Sequence, residues 1–305
     1  DVCSSDLAKK KLIVTYSELR AKELCENYRL FDKNVLFYPA KDLIFYSADV
    51  QSNLLVQQRI RVLQKLMEEE EVTIVTTMGG IMDHLLPPEV FQKQIETVES
   101  DSEFDMELWK KKLTAMGYER VGQVEGSGQF AVRGGILDIF PLTEENPVRI
   151  ELWGDEIDSI RSFDVESQRS VENLEELVIY PATEVPADPE RIEDGLKRME
   201  ADVKTAEKAM EKQGNREGAH RLGTLFAETK EKLTEFQGQE SLGLDGMIDY
   251  FYKETVCFSQ YLDPEKTLFV LDEPNRVQQE GEAIEAEFQE SMMQRLEKGY
   301  LLPGQ

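Results

Sequence analysis

Short apolar runs alternate with amphipathic helical patterns over the first 92 residues, and this alternation constrains the fold more than any other feature. The apolar runs at 12–16, 35–38 and 72–77 are typical of strands. The segments 17–28 and 53–69 between them carry apolar residues at helical spacing. A strand–helix–strand rhythm of this kind favours an α/β fold, with a parallel sheet covered by helices.

A second α/β segment stands near the other end of the chain. An apolar run at 267–271 predicts a buried strand, and a helical pattern over 278–299 follows it. We expect this segment to complete the first sheet. The α/β domain would then be split in sequence, its first part lying in residues 1–92 and its second part in residues 183–305.

Residues 93–182 have a different character, because one predicted helix is followed by closely spaced strands with glycine-containing turns. The helix is predicted over 105–116, and the strands over 121–125, 130–133, 136–140, 148–153, 157–163 and 177–180. The sequence Gly126-Ser127-Gly128 between the first two strands is interpreted as a hairpin turn. This pattern predicts a small inserted α+β domain.

The residues after 183 begin with a charged helical stretch. Its apolar residues are spaced by 4, 3, 4, 3 and 4 positions, at Ile192, Leu196, Met199, Val203, Ala206 and Met210. A second helix is predicted over 219–236, with apolar residues at Leu222, Leu225, Leu233 and Phe236. We expect an antiparallel helical hairpin that faces a core, since the repeat is too short to favour a partner-binding coiled coil.

Composition excludes several classes of function. The 35 basic and 61 acidic residues give a net charge of −26, which works against binding DNA through a broad electrostatic surface. The sequence has no apolar run of about 18 residues and no signal peptide, so we expect a soluble cytoplasmic protein with no membrane contact. His84 and His220 stand outside any metal-ligand spacing. We therefore expect neither a metal nor a cofactor.

The sequence also lacks the common motifs of catalytic sites. The chain contains no GxxxxGK[ST] phosphate loop, no HExxH and no GxSxG. Asp272 and Glu273 follow the strand at 267–271 and resemble the acidic pair of a Walker B strand, which would hold magnesium. Without a phosphate loop, this pair is expected to cap the strand or face solvent. The sequence thus favours a binding module over an enzyme.

The strand predicted at 148–153 offers the clearest candidate for a binding surface. Because side chains alternate along a strand, Val148, Ile150 and Leu152 share an apolar face. Arg149, Glu151 and Trp153 share the other face. An aromatic residue beside arginine is typical of a protein-binding hot spot. The alternative is that Trp153 covers a second small core, or that Arg149 is only a solvated surface charge.

Several motifs resemble the UvrB-homologous region at the N-terminus of the bacterial transcription-repair coupling factor family (Mfd). They are FAVRGGILDIF at 130–140, RIELWGDE at 149–156 and SFDVESQRS at 162–170, with MGYER at 116–120 and LDEP at 271–274. The resemblance in pattern covers most of the chain. It implies a degenerate P-loop-type α/β domain, split around a small inserted domain, with no working ATPase.

The resemblance also implies a partner. In the family, the inserted domain binds the excision-repair subunit UvrA through two arginines and an aromatic residue on adjacent strands. By motif, these positions are Arg133, Arg149 and Trp153. The polymerase-binding and DNA-translocating parts of the parent lie outside these residues. Its C-terminal end is expected to mask the UvrA-binding surface, so a fragment would expose it.

Two other interpretations remain open from the sequence alone. One is a fragment of an excinuclease B-type nucleotide hydrolase that lost its phosphate loop. The other is a structural or autoinhibitory scaffold built around the helical hairpin. Residues 1–6 match nothing that the resemblance leads us to expect, and the sequence leaves open whether they are native.

Overall fold

The computed structural model describes residues 9–41, 53–100, 102–235 and 243–304. The strands are β1 (Lys10–Thr15), β2 (Val35–Tyr38), β3 (Val72–Thr77), β4 (His84–Leu85), β5 (Glu96–Glu99), β6 (Glu119–Arg120), β7 (Gln129–Arg133), β8 (Ile136–Ile139), β9 (Val148–Trp153), β10 (Glu156–Phe163), β11 (Ser170–Leu174), β12 (Glu176–Ile179), β13 (Val256–Cys257) and β14 (Thr267–Leu271). The α-helices are α1 (Glu18–Tyr28), α2 (Asn53–Glu68), α3 (Met78–Met82), α4 (Pro88–Gln92), α5 (Met106–Ala115), α6 (Pro189–Lys212), α7 (Arg216–Thr234), α8 (Ile248–Phe251) and α9 (Pro274–Lys298). Two 3₁₀ turns span Leu244–Met247 and Phe258–Tyr261. In the part of the chain described, no helix is long and apolar enough to cross a membrane.

A parallel sheet with strand order β14-β1-β3-β2 forms the α/β part. Leu12 and Ile74 face one side of it, in a core cluster shared with α2 and the α6–α7 pair. Ile13 and Val75 face the other side, against Ala21 of α1. The α/β prediction is confirmed, and a strand from the far end of the chain completes the sheet.

The structure corrects the prediction that the strand at 267–271 is buried. β14 occupies an edge of the sheet and pairs with β1 on one side. Phe269 is 44% exposed and Leu271 is 52% exposed. An apolar run shows that a segment is β-prone, but its place in the strand order decides how much of it is covered.

A six-stranded sheet with order β11-β10-β9-β8-β7-β6 forms most of the inserted segment, which we define as residues 96–179 from β5 to β12. Trp109 and Leu113 of α5 pack against one face of this sheet, in a core that includes Phe130, Ile139 and Ile150. β5 and β12 pair with each other at the two ends of the segment. The segment therefore has its own apolar core and returns the chain close to where it left.

The predicted strand at 121–125 is wrong. The strand that precedes β7 is instead β6, at Glu119–Arg120, and it runs parallel to β7. Two parallel strands cannot be joined by a hairpin turn, so Gly126-Ser127-Gly128 lies in a loop. The Gln129 side chain explains the difference, because its Oε1 accepts the backbone N–H groups of Glu125 and Gly126, each at 3.0 Å. A side chain thus satisfies backbone groups that a neighbouring strand would otherwise bind.

The helical hairpin is confirmed as a pair of core-facing helices. Ile192, Leu196, Met199 and Val203 of α6 are buried, and they belong to the same cluster as the residues of the parallel sheet. Ala206 and Met210 are partly buried at the end of the stripe. Leu222 and Leu233 of α7 are buried and Leu225 is partly buried. Phe236 and residues 1–6 lie outside the described residues.

A buried ionic network holds the chain just after the inserted segment against the α/β part. We define it by Arg59, Asp83, Glu184, Lys41 and Asp245. Arg59 Nε donates to Glu184 Oε1 at 2.8 Å, and Arg59 Nη1 donates to Asp83 Oδ2 at 2.6 Å. Lys41 Nζ contacts Glu184 and lies 2.7 Å from Asp245 Oδ1. Because Glu184 follows the inserted segment, these bonds fix where that segment ends.

The pKa values of two carboxylates in the buried ionic network are shifted in opposite directions. Burial alone would raise the pKa of Glu184, but the charges of Arg59 and Lys41 outweigh it and lower that pKa to about 2. Burial also raises the pKa of Asp83, and here the charge of Arg59 does not overcome it. Glu184 is therefore the acid that the network stabilises in its ionised form.

Candidate functional site

Strand β9 carries the candidate binding surface, and its sequence explains why. Val148 and Ile150 are buried on the core side of the sheet. Arg149, Glu151 and Trp153 therefore point to the opposite side. β9 lies between β8 and β10 in the middle of the sheet, so side chains of three strands meet on this surface.

Asp138 on β8 organises one end of this surface. It lies directly opposite Arg149 and is 1% exposed. Its Oδ1 accepts Arg149 Nε at 2.7 Å, and its Oδ2 accepts Arg149 Nη2 at 2.9 Å and Arg133 Nη2 at 2.6 Å. We call Arg133, Arg149 and Asp138 the arginine cluster. Two guanidinium groups share one carboxylate, which leaves this cluster a net charge of +1.

Further contacts hold Arg149 in place. Its guanidinium carbon lies 4.5 Å from the centre of the Phe163 ring, and its Nη2 donates to Gln168 Oε1 at 3.2 Å. The hydrogen bonds to Asp138 raise the pKa of Arg149, so its charge is secure. The Arg149 side chain is 17% exposed, whereas that of Arg133 is 46% exposed. Arg149 is thus a fixed group and Arg133 a more accessible one.

A second ion pair occupies the middle of the surface. Arg161 of β10 is paired with Glu151, whose Oε2 also accepts the Ser159 hydroxyl at 3.2 Å. Arg161 lies opposite Arg149 in the strand register. This pair is neutral as a unit, so the positive charge of the surface stays with the arginine cluster.

Trp153 forms the other end of the surface. It is 83% exposed and lies at the end of β9, where Gly154 adopts a φ of 69° and starts the turn into β10. Asp155 completes that turn, and Glu156 begins β10 opposite Trp153. Trp153 is four residues from Arg149 along β9, which is about 13 Å at the usual rise of a strand. Because the indole is so exposed, it does not cover a second core in this chain.

The structure brings together two of the three residues that the sequence singled out. Arg133 and Arg149 meet at Asp138, and Trp153 stands apart on the same strand as Arg149. Sequence reasoning missed Asp138 and Arg161. One signal pointed to Asp138, because an acid between Leu137 and Ile139 in an apolar run must face away from the core and find a partner.

The acidic pair Asp272 and Glu273, at the end of β14, is not surrounded by the side chains of a metal site in the described residues. Asp272 accepts the Thr15 hydroxyl at 3.0 Å and Arg20 Nε at 3.0 Å. The hydrogen bond from Arg20 lowers the pKa of Asp272. Glu273 directly precedes α9 with a φ of 55° and pairs with Arg276 at 3.2 Å. In this chain Asp272 links β14 to β1 and α1.

The carboxyl ends of β1 and β3 border a cavity of about 320 Å³. Its lining includes Glu18, Glu280 and Glu287 together with Lys41. Lys41 is already paired with Glu184 and Asp245. Glu18 is itself paired with Lys22, so the charge that remains among the described lining residues is that of Glu280 and Glu287.

Comparison with known proteins places these features in a family. Residues 97–185 match the family described as the UvrB interaction domain, a range that contains the arginine cluster and Trp153. The transcription-repair-coupling factor of Bacillus subtilis (strain 168) is 32% identical over 301 residues, which are 98% of this chain and 25% of that protein. This chain belongs to the transcription-repair coupling factor family.

Other members of the family agree over nearly the same length. The factor of Staphylococcus aureus (strain Mu50) is 30% identical over 301 residues, covering 96% of this chain and 25% of that protein. The factor of Staphylococcus haemolyticus is 28% identical over 299 residues, covering 97% and 25%. The chain thus spans about a quarter of the length of the curated relatives it matches. The family resemblance inferred from the sequence motifs is confirmed.

Proposed function

We propose that this chain is the UvrB-like region of a transcription-repair coupling factor and recruits UvrA to stalled RNA polymerase during transcription-coupled excision repair. Its role is to bind a protein, with no catalysis in these residues. The proposed contact surface comprises Arg133, Arg149 and Trp153. The observation that carries the proposal is the exposure of Trp153 on a sheet surface that also holds the arginine cluster, within the residues that match the UvrB interaction domain.

Interface physics supports this surface. Tryptophan and arginine are the residues most enriched in binding hot spots. An 83% exposed indole contributes little to folding, yet it offers a large apolar area that a partner can bury. The domain division that we propose is a split α/β domain in residues 1–92 and 183–305 around a UvrA-binding domain in residues 93–182. We further propose that the C-terminal region of the parent covers this surface in an autoinhibited state.

The alternatives gain less support from the site. A nucleotide hydrolase would need Asp272 to reach a magnesium ion, but this carboxylate is bonded to Arg20 and Thr15. A scaffold built around the α6–α7 hairpin would need an apolar outer stripe, whereas the stripe of α6 faces the core.

Binding of the chain to purified UvrA at physiological salt tests the proposal. We expect Trp153→Ala to weaken binding by about 1–3 kcal/mol, and the double variant Arg149→Ala, Trp153→Ala to weaken it further. Thermal unfolding of Trp153→Ala should match the wild type, because its side chain is exposed. Phe31→Ala is the matched control, since Phe31 is an aromatic residue 90% exposed in the loop between α1 and β2. A folded wild-type chain that does not bind UvrA would refute the proposal.

A further inference from the structure

The arginine cluster contains a residue that a partner cannot reach. Asp138 is 1% exposed, so it contributes little direct contact to any protein that docks on this surface. Nevertheless both of its oxygens are bonded to Arg133 or Arg149. Its position beneath two candidate contact residues suggests that it acts through them.

Without Asp138, the two arginines would lose their common anchor. Two neighbouring guanidinium groups repel each other, and each long side chain loses rotamer entropy when it is fixed. A shared carboxylate removes the repulsion and fixes both groups before a partner arrives. Binding by a fixed group costs less than binding by a mobile one.

The geometry of the bonds leaves donors available. Arg149 bonds through Nε and Nη2, and Arg133 bonds through Nη2, in the part of the chain described. Two bonds to Asp138 hold the plane of the Arg149 guanidinium, and one bond from Nη2 tethers that of Arg133 beside it. Carboxylates are the groups that such planar forks bind best.

We propose that Asp138 is a positioning residue, which holds Arg133 and Arg149 as one rigid pair of donors for carboxylates on the partner. This inference rests on the proposed function, and it names both the residue that orients the site and the chemistry that the site takes. Asp138 itself makes no contact with the partner.

A binding cycle tests this role. Asp138→Asn keeps the shape of the side chain but removes its charge, and we expect it to weaken UvrA binding about tenfold. In a chain that already carries Arg133→Ala and Arg149→Ala, the same change should have less than about a twofold effect, because Asp138 acts through the arginines. A tenfold loss in both backgrounds would overturn the proposal, since Asp138 would then act independently of them.

Arg149→Lys provides a second test that leaves Asp138 in place, in case Asp138→Asn does not fold. Lysine keeps the charge but lacks the fork, so we expect a loss of binding similar to that of Asp138→Asn. Unchanged binding would show that fixed orientation is not needed and would overturn the proposal.

A measurement without UvrA separates this inference from the proposed function. In NMR spectra of the chain labelled with ¹⁵N-arginine, we expect a protected Nε–H signal from Arg149 that is lost in Asp138→Asn. An Arg149 signal that exchanges rapidly in the wild type would overturn the positioning role even if UvrA binds. A protected signal in a chain that does not bind UvrA would support positioning of the arginines and refute only the choice of partner.

Discussion

Two groups of arginines and carboxylates in this molecule use the same chemistry in opposite surroundings. In the buried ionic network, Arg59 and Glu184 are almost fully covered. In the arginine cluster, Asp138 is covered in the same way, but Arg133 remains about half exposed. A charge that loses its partner inside the protein cannot regain water, whereas an exposed one can. Burial of the cation therefore distinguishes the buried ionic network, which maintains the fold, from the arginine cluster, which can bind a partner protein.

Removal of one arginine from each group gives the largest contrast. Arg59→Ala leaves Glu184 and Asp83 without their shared cation, and we expect it to lower the free energy of unfolding by about 3–5 kcal/mol. Arg133→Ala is the matched control and should cost less than about 1 kcal/mol, because Asp138 keeps Arg149. Urea denaturation of both variants at neutral pH measures the difference. Equal losses would show that burial does not distinguish the two groups.

Acid should weaken the buried ionic network through Glu184. The pKa of this residue is about 2 in the folded chain, against an ordinary value of 4.5. A lowered folded-state pKa means that the stabilisation is complete above about pH 4.5 and is lost as the pH falls towards 2. We expect the wild type to lose roughly 3 kcal/mol over this range relative to Glu184→Gln.

Urea denaturation of the two proteins at several pH values between 7 and 2 checks this expectation. Asp83, whose pKa is raised by burial, is present in both proteins, so its own titration largely cancels in the difference. A difference in stability that does not change with pH would contradict the lowered pKa of Glu184.

Local patterns predicted the elements, but not the charged contacts between them. Apolar spacing predicted β1, β2 and β3 and the helices α1 and α2, but not the short elements α3, β4 and α4. The alternation in β9 correctly separated Val148 and Ile150 from Arg149 and Trp153. Arg59 lies on an amphipathic helix, where an arginine ordinarily faces solvent. Its burial depends on Asp83 and Glu184, which are 24 and 125 residues away in sequence. Such contacts depend on the tertiary fold, which the spacing of residues along the chain does not specify.

Asp138 and β14 show that the pattern along a single strand also leaves its contacts with neighbouring strands undetermined. Alternation places Asp138 on the outer face of β8, but only the register with β9 shows that it meets Arg149. An apolar run predicted β14, yet its exposure follows from its edge position in the strand order. The segment 121–125 has the apolar residues of a strand, but the Gln129 side chain accepts the backbone N–H groups of Glu125 at its end and of Gly126 just after it.

Asp272 offers a case of intermediate burial. It is partly exposed and paired with Arg20, so we expect Asp272→Asn to lower the free energy of unfolding by about 1 kcal/mol at neutral pH. The pKa of Asp272 is lowered, so this contribution should vanish as the pH falls through and below its ordinary value of 3.8. Thermal unfolding at pH 7 and pH 3 measures it. Glu200→Gln is the control, because Glu200 makes an exposed pair with Lys204 on α6.

The smallest effect on stability is expected at Arg161, in the middle of the proposed binding surface. Its pair with Glu151 is about one-third exposed, so Arg161→Ala should change the free energy of unfolding by less than about 0.5 kcal/mol. The same change leaves Glu151 unpaired beside Arg149, where a carboxylate would compete with those of the partner. We therefore expect the free energy of UvrA binding to weaken by more than the free energy of unfolding falls. Arg169→Ala, which removes an exposed arginine from the loop after β10, is the control for charge alone. A loss of stability that exceeds the loss of binding would place Arg161 with the residues that maintain the fold.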